Sequence, residues 1–160
     1  MGILFIYIDK SPMLRDGLTG DWIGTFAGHK GAVWSCRVDP TGNLAATAGG
    51  DFSVKLFDAI NGSVLRTWSH GHIVKAVAFA PSGAWLATGG HEGLLRLYDL
   101  TAEAKDEATG GQIIGSDDPF CQIPLTTEKG DKVIITKLLC YEPTEAASSS
   151  SHRLWIGCSD

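Results

Sequence analysis

No cluster of lysine and arginine occurs in this sequence, and its formal net charge is −5. A polyanion is gripped through many cationic contacts, so direct binding of DNA or RNA is not expected, and any RNA connection would be indirect. No apolar run approaches the about 20 residues of a membrane helix. The run at residues 3–8 has no basic flank and stops at Asp9, short of the about 7 to 15 apolar residues of a secretory signal. It reads as a strand, and no membrane partner is expected. The four cysteines, Cys36, Cys121, Cys140 and Cys158, form no CxxC pair, which argues against a zinc site and a disulfide framework. Neither GxGxxG nor Gly-Lys-Ser/Thr spacing occurs, so Gly49 with Gly50 and Gly89 with Gly90 read as turn glycines rather than phosphate loops. No cofactor, metal or small-molecule substrate is expected.

Glycine, by contrast, is abundant. It supplies 20 of 160 residues against a usual share of about 7%, and it falls between short β-type runs, the pattern of an all-β chain with many tight turns. A repeat organises these runs. Residues 29–58 fall onto 70–99, matching His29 to His70, Val33 to Val74, Pro40 to Pro81, Gly42 to Gly83, Thr47 to Thr88, Gly49 to Gly90 and Asp58 to Asp99. The offset lies in the range of about 40 to 45 residues expected of four-stranded propeller blades. In the first copy, strands are predicted over 32–38, 44–48, 53–57 and 64–68, with a hairpin at Asn61 and Gly62. That hairpin is also the better account of the glycosylation-like triplet Asn61, Gly62 and Ser63.

Gly28 and His29 followed by Phe57 and Asp58, and His70 followed by Tyr98 and Asp99, resemble the Gly-His and Trp-Asp landmarks of the WD40 repeat family. The resemblance implies an all-β WD40 β-propeller, incomplete in this chain. It also implies a hydrogen-bonded staple in each blade, built in the family from a His, a strand Ser or Thr, a turn Asp and the Trp. Carried over by position, these would be His29, Thr47, Asp51 and Phe57, then His70, Thr88, Glu92 and Tyr98. Phe57 has no N–H to donate, so its blade can keep only the His-Asp-Thr part, whereas Tyr98 can still donate.

The same residue types invite a hydrolase triad of His29, Asp51 and Thr47 or Ser53. Their recurrence at the blade period favours the staple. His70 and His72 lack a third metal ligand at suitable spacing. In the family, the start of the innermost strand and the residue before the turn acid face the channel rim. These positions give Ala32, Trp34 and Gly50, then Ile73, Lys75 and His91, as the expected protein-binding residues. Trp34 reads equally as an interface anchor or as a core tryptophan.

Within the family, residues 12–17, 19–26, 28–34, 72–75 and 94–100 resemble the kinase-receptor-associated group. That group is linked to the SMN complex, to spliceosomal ribonucleoprotein assembly and mRNA splicing, and to growth-factor receptor signalling. The resemblance therefore implies a non-catalytic scaffold, in cytoplasm and nucleus, whose partners are SMN-complex or receptor-signalling proteins. The WD-repeat subunits of translation initiation factor three resemble it less closely at 12–15 and 22–26, and form the alternative.

The expected organisation is a partial blade at 1–26, with Asp9 at its turn and Arg15 where the Trp would stand, and full blades at 27–68 and 69–100. The second lacks an evident outer strand. A loop or insertion is expected at 101–131. A partial blade at 132–160 would contain strands at 133–141 and 154–157, separated by a flexible serine run at 148–151 that reads as a loop rather than a phosphorylation site. Two full and two partial blades fall short of the four to eight of a closed ring, so the chain is expected to be a piece of a larger propeller.

Overall fold

The computed structural model describes residues 2–5, 10–101, 103–105, 112–141 and 153–159. All regular elements among them are strands. A first sheet joins β1 (Gly2–Phe5), β2 (Met13–Asp16) and β3 (Trp22–Thr25). A second is an antiparallel meander of β4 (Val33–Val38), β5 (Leu44–Gly49), β6 (Ser53–Asp58) and β7 (Val64–Ser69). The third repeats that pattern with β8 (Val74–Phe79), β9 (Trp85–Gly90) and β10 (Leu94–Asp99). After a small hairpin of β11 (Glu103–Lys105) and β12 (Gln112–Ile114), it gains its outer strand, β13 (Cys121–Pro124). A last sheet pairs β14 (Ile134–Tyr141) with β15 (Arg153–Ser159).

Short polar side chains set the turns. The Asp39 carboxylate accepts from the Thr41 hydroxyl (2.5 Å) and the Leu44 backbone N–H (2.8 Å), closing β4 onto β5. Asp58 accepts from the Ile60 and Asn61 backbone N–H groups, and Gly62 supplies the left-handed conformation (φ +76°) that completes the β6–β7 turn. Its counterpart Asp99 accepts from both the backbone N–H and the hydroxyl of Thr101. The acid after each aromatic landmark is thus a turn former.

Three apolar layers lie between consecutive sheets. Leu14 and Phe26 meet Ala45, Phe57 and Ala59 between the first and second. Ala46, Ala48, Val54, Leu56 and Trp68 meet Val74, Val77, Leu86 and Tyr98 between the second and third. Ala76, Ala78, Ala87 and Leu95 meet Ile135 and Leu138 between the third and fourth. Alternation explains how one strand serves two layers: in β5, Ala45 faces one neighbour and Ala46 the other. The innermost strands β4 and β8 contact each other, as do β8 and β14, so the sheets radiate from a common axis. Among the described residues the sheets form an open arc: no apolar layer joins the first to the last.

The expectation of a loop or insertion at 101–131 is corrected. That stretch contains the β11–β12 hairpin and the outer strand of the third sheet, so the blade beginning at 69 is completed by 121–124 and not ended at 100. The chain is drawn back against β7 by the Trp68 indole N–H, which donates to the Ser116 carbonyl (2.9 Å), and by an Arg66–Asp117 ion pair. Ile114 packs on the layer between the second and third sheets. The strand escaped the repeat pattern because it is short, and three of its four residues are exposed, leaving no buried face to read. Of the 3–8 run, residues 3–5 lie in β1; residues 6–8, Asp9 and the serine run at 148–151 lie outside the described residues. Arg15 stands in β2, where its guanidinium donates to the Gly20 carbonyl (2.8 Å).

Leu86, fully buried between the second and third sheets, tests this packing. Leu86→Ala is expected to lower the unfolding free energy by about 2–5 kcal/mol in a denaturant titration. Leu18→Ala, at a site 92% exposed, should change it by less than about 0.5 kcal/mol.

Candidate interaction rim and the staples beneath it

In the second sheet the His29 ring lies between strand and turn. Its Nε2 is 2.6 Å from the Thr47 hydroxyl, and its Nδ1 is 3.0 Å from the Asp51 carboxylate. An ionised carboxylate only accepts, so the ring proton sits on Nδ1 and Nε2 accepts from Thr47. Asp51 also accepts from the Lys30 backbone N–H (2.7 Å) and the Ser53 hydroxyl (2.8 Å). Burial raises its pKa, but these donors together with His29 outweigh burial and bring it to about 2. Gly49 makes the arrangement possible, because a Cβ there would stand 2.5 Å from both the His29 ring and the Asp51 carboxylate. Phe57 takes no part in the hydrogen bonds; its buried ring packs on Phe26 with centroids 5.1 Å apart. Thr47 is fully buried and Ser53 nearly so, with both hydroxyls engaged, so no accessible nucleophile exists for a triad on His29 and Asp51.

The third sheet keeps less of the staple. His70 Nε2 lies 3.0 Å from the Thr88 hydroxyl. The expected Glu92–His70 contact is not made: Glu92 pairs with Arg96 and accepts from the Gly71 backbone N–H (2.5 Å). His70 Nδ1 is left buried without a hydrogen-bond partner. Charge explains the difference. Arg96 lies four residues beyond the acid, whereas Lys55, at the matching position of the first repeat, donates instead to Thr67. Tyr98 is also corrected: its ring packs at a tilt on Trp68, centroids 4.7 Å apart, and among the described residues no hydrogen bond joins it to the His70–Thr88 pair.

Above these staples, the expected protein-binding residues meet at one rim. Ala32 and Gly50 are joined by a backbone hydrogen bond (2.7 Å), as are Ile73 and His91 (3.0 Å), so each pair anchors the start of an inner strand to the turn beside it. Trp34 is 46% exposed, which places it on the surface rather than in the core, and the Lys75 ammonium lies 5.1 Å from its ring centroid. The bulky indole and the backbone of 32 come so close to Gly50 that a Cβ there would stand 3.2 Å from Trp34 Nε1.

Two rim residues escaped sequence reasoning. His72 stacks on His91 at 5.1 Å with ring planes 9° apart, and Phe52 packs on His72 at 5.4 Å. Phe52 is also the one non-glycine residue with positive φ (+64°) among the described residues; its counterpart one repeat later is Gly93 (φ +69°). Holding a side chain in that region costs on the order of 1–3 kcal/mol. The one signal available in the sequence was the replacement of a turn glycine by phenylalanine between the aligned repeats. Among the described residues, no three His, Cys, Asp or Glu side chains converge as a metal site requires.

A four-stranded meander repeated in register, with a His–Thr staple in each copy and an aromatic-Asp pair ending the third strand, is the pattern of the WD repeat, and this chain carries it twice. The family model for the WD domain, G-beta repeat, matches residues 20–58 and 62–99. The chain is similar to the serine-threonine kinase receptor-associated proteins. It is 50% identical to that of Gallus gallus, over 67% of this chain and 31% of the relative, and 51% identical to that of Homo sapiens, over 67% and 30%. It is more distantly similar to eukaryotic translation initiation factor 3 subunit I of Candida albicans, 39% identical over 65% and 30%. The chain thus spans 30–31% of the length of these relatives.

Two measurements probe the staples. Thr47→Val strands a buried His29 nitrogen and is expected to cost about 1–3 kcal/mol, with Thr88→Val costing less because the bond it removes is longer, 3.0 Å against 2.6 Å. His70 titrates far below its ordinary 6.5: burial, then the nearby Arg96 charge, hold it to about 4. The unfolded chain therefore takes up a proton that the folded chain refuses, so the stability His70 contributes is full above about pH 6.5 and lost as pH falls towards about 4. Melting temperature should decline across that window, and His70→Asn should flatten the decline.

Proposed function

We propose that this chain is a non-catalytic docking scaffold that binds a serine-threonine kinase receptor through the rim formed by Trp34, Lys75, Phe52, His72 and His91. The observation that carries this reading is the exposed Trp34 ring, held by a cation above it and by the rigid edge of two stapled sheets. Large aromatic side chains on a fixed surface make strong interface anchors, because they lose little conformational freedom on binding. The receptor as partner comes from the name carried by the relatives at 50–51% identity. With it go the SMN complex and mRNA splicing, to which the resemblance points. In both settings the partners are proteins, and RNA is reached through them, in keeping with the net charge of −5. The scaffold works in cytoplasm and nucleus. A translation-initiation role has weaker support, since the identity falls to 39% there.

A purified receptor cytoplasmic kinase domain, titrated against the full chain by surface plasmon resonance, tests the reading. Trp34→Ala should weaken binding by about tenfold or more while leaving the melting temperature unchanged. Binding indifferent to Trp34→Ala would place the interface elsewhere, and selective binding of initiation-factor subunits would favour the other role.

A further inference from the structure

The rim has a chemistry of its own. Its cation, Lys75, forms no ion pair among the described residues. His72 Nδ1 accepts from the Ile73 backbone N–H (2.8 Å), so in the neutral ring the proton sits on Nε2, which is a donor. The acids of the neighbouring turns are withdrawn from this surface. Asp51 is committed to His29, Ser53 and the Lys30 backbone, and Glu92 to Arg96 and the Gly71 backbone. What faces a visitor is therefore donors and positive charge, flanked by the exposed rings of Trp34 and Phe52, 46% and 43% exposed.

We propose that this rim binds an acidic peptide segment, with carboxylates on Lys75 and His72 and neighbouring apolar side chains on Trp34 and Phe52. The proposal rests on the rim being the docking surface and adds the chemistry of the partner. Charge complementarity selects an acceptor-bearing ligand, and the two apolar rings select one whose charges alternate with hydrophobic groups. A single lysine is too little to hold a phosphate backbone, which separates this site from a nucleic-acid groove. Phe52 supports the assignment from another direction. A phenylalanine kept in a backbone conformation that suits glycine, and kept exposed, contributes nothing to the core it sits above.

The test is selection of a random peptide library on the immobilised full chain, followed by fluorescence anisotropy of the recovered peptides. Recovered sequences should be enriched in Asp and Glu beside aliphatic or aromatic residues. Their affinity should fall about tenfold in Lys75→Ala and weaken as salt is raised. Phe52→Gly should also weaken them while leaving the melting temperature equal or higher, which separates loss of contact from loss of fold. Peptides that depend on Trp34 but show no acidic excess would overturn the acidic class and leave the rim as the docking surface. Recovery of no Trp34-dependent peptide would sink both readings. An oligouridylate that binds more tightly than any recovered peptide, and is released by Lys75→Ala, would overturn the peptide assignment.

Discussion

Both faces of β5 and β9 are buried, and a sheet with two apolar faces is stable in water only with another sheet against each. That constraint organises everything else in the molecule. Small side chains let the sheets come together, and the alanines at 45, 46, 48, 76, 78 and 87 are all buried in these layers. Leu56, Trp68 and Tyr98, from the outer strands β6, β7 and β10, fill the layer between the second and third sheets. Each fully buried leucine or valine in those layers contributes about 1.5–3 kcal/mol relative to exposure. The outward face of the last sheet shows what the constraint means when unmet: Leu139 and Trp155, paired across β14 and β15, stand 59% and 66% exposed.

The staples follow from the same geometry. A turn that crosses the edge of a buried sheet brings backbone polar groups close to apolar layers, and these need partners. Asp51, held in place by His29, accepts from the Lys30 and Ser53 backbone N–H groups of the second sheet. In the third sheet the acid satisfies the Gly71 backbone but is shared with Arg96, so the histidine keeps one bond in place of two. The two blades therefore share a backbone while differing in how firmly the rim above them is fixed. The rim's stacked histidines and strained Phe52 sit where the differently stapled blades meet.

Repetition made the architecture legible from sequence. His29, Thr47 and Asp58 each have a counterpart one period later, so the strands, the turns and the His–Thr pair of each staple are legible together in the sequence. Features without a counterpart were not legible. The outer strand at Cys121–Pro124 has no buried face, and its hairpin lead-in has no parallel in the first repeat. The Glu92 assignment failed because position was read without its neighbour: Arg96 replaces Lys55, and a nearby guanidinium outcompetes an imidazole for a carboxylate. Trp34 and Lys75 were found through their place in the repeat, yet their contact spans two blades and needed the fold to be seen. Phe52 and His72 belong to the same rim, but backbone strain and ring contacts between turns leave little trace in a single sequence.

Native-state amide hydrogen exchange tests most directly whether burial between sheets holds the molecule together. Amides of β5 and β9 should exchange only through one common opening, slowest in the chain and at the same free energy, with β3 and β15 exchanging earlier. Separate openings for β5 and β9, or greater protection in β15 than in either, would contradict the account.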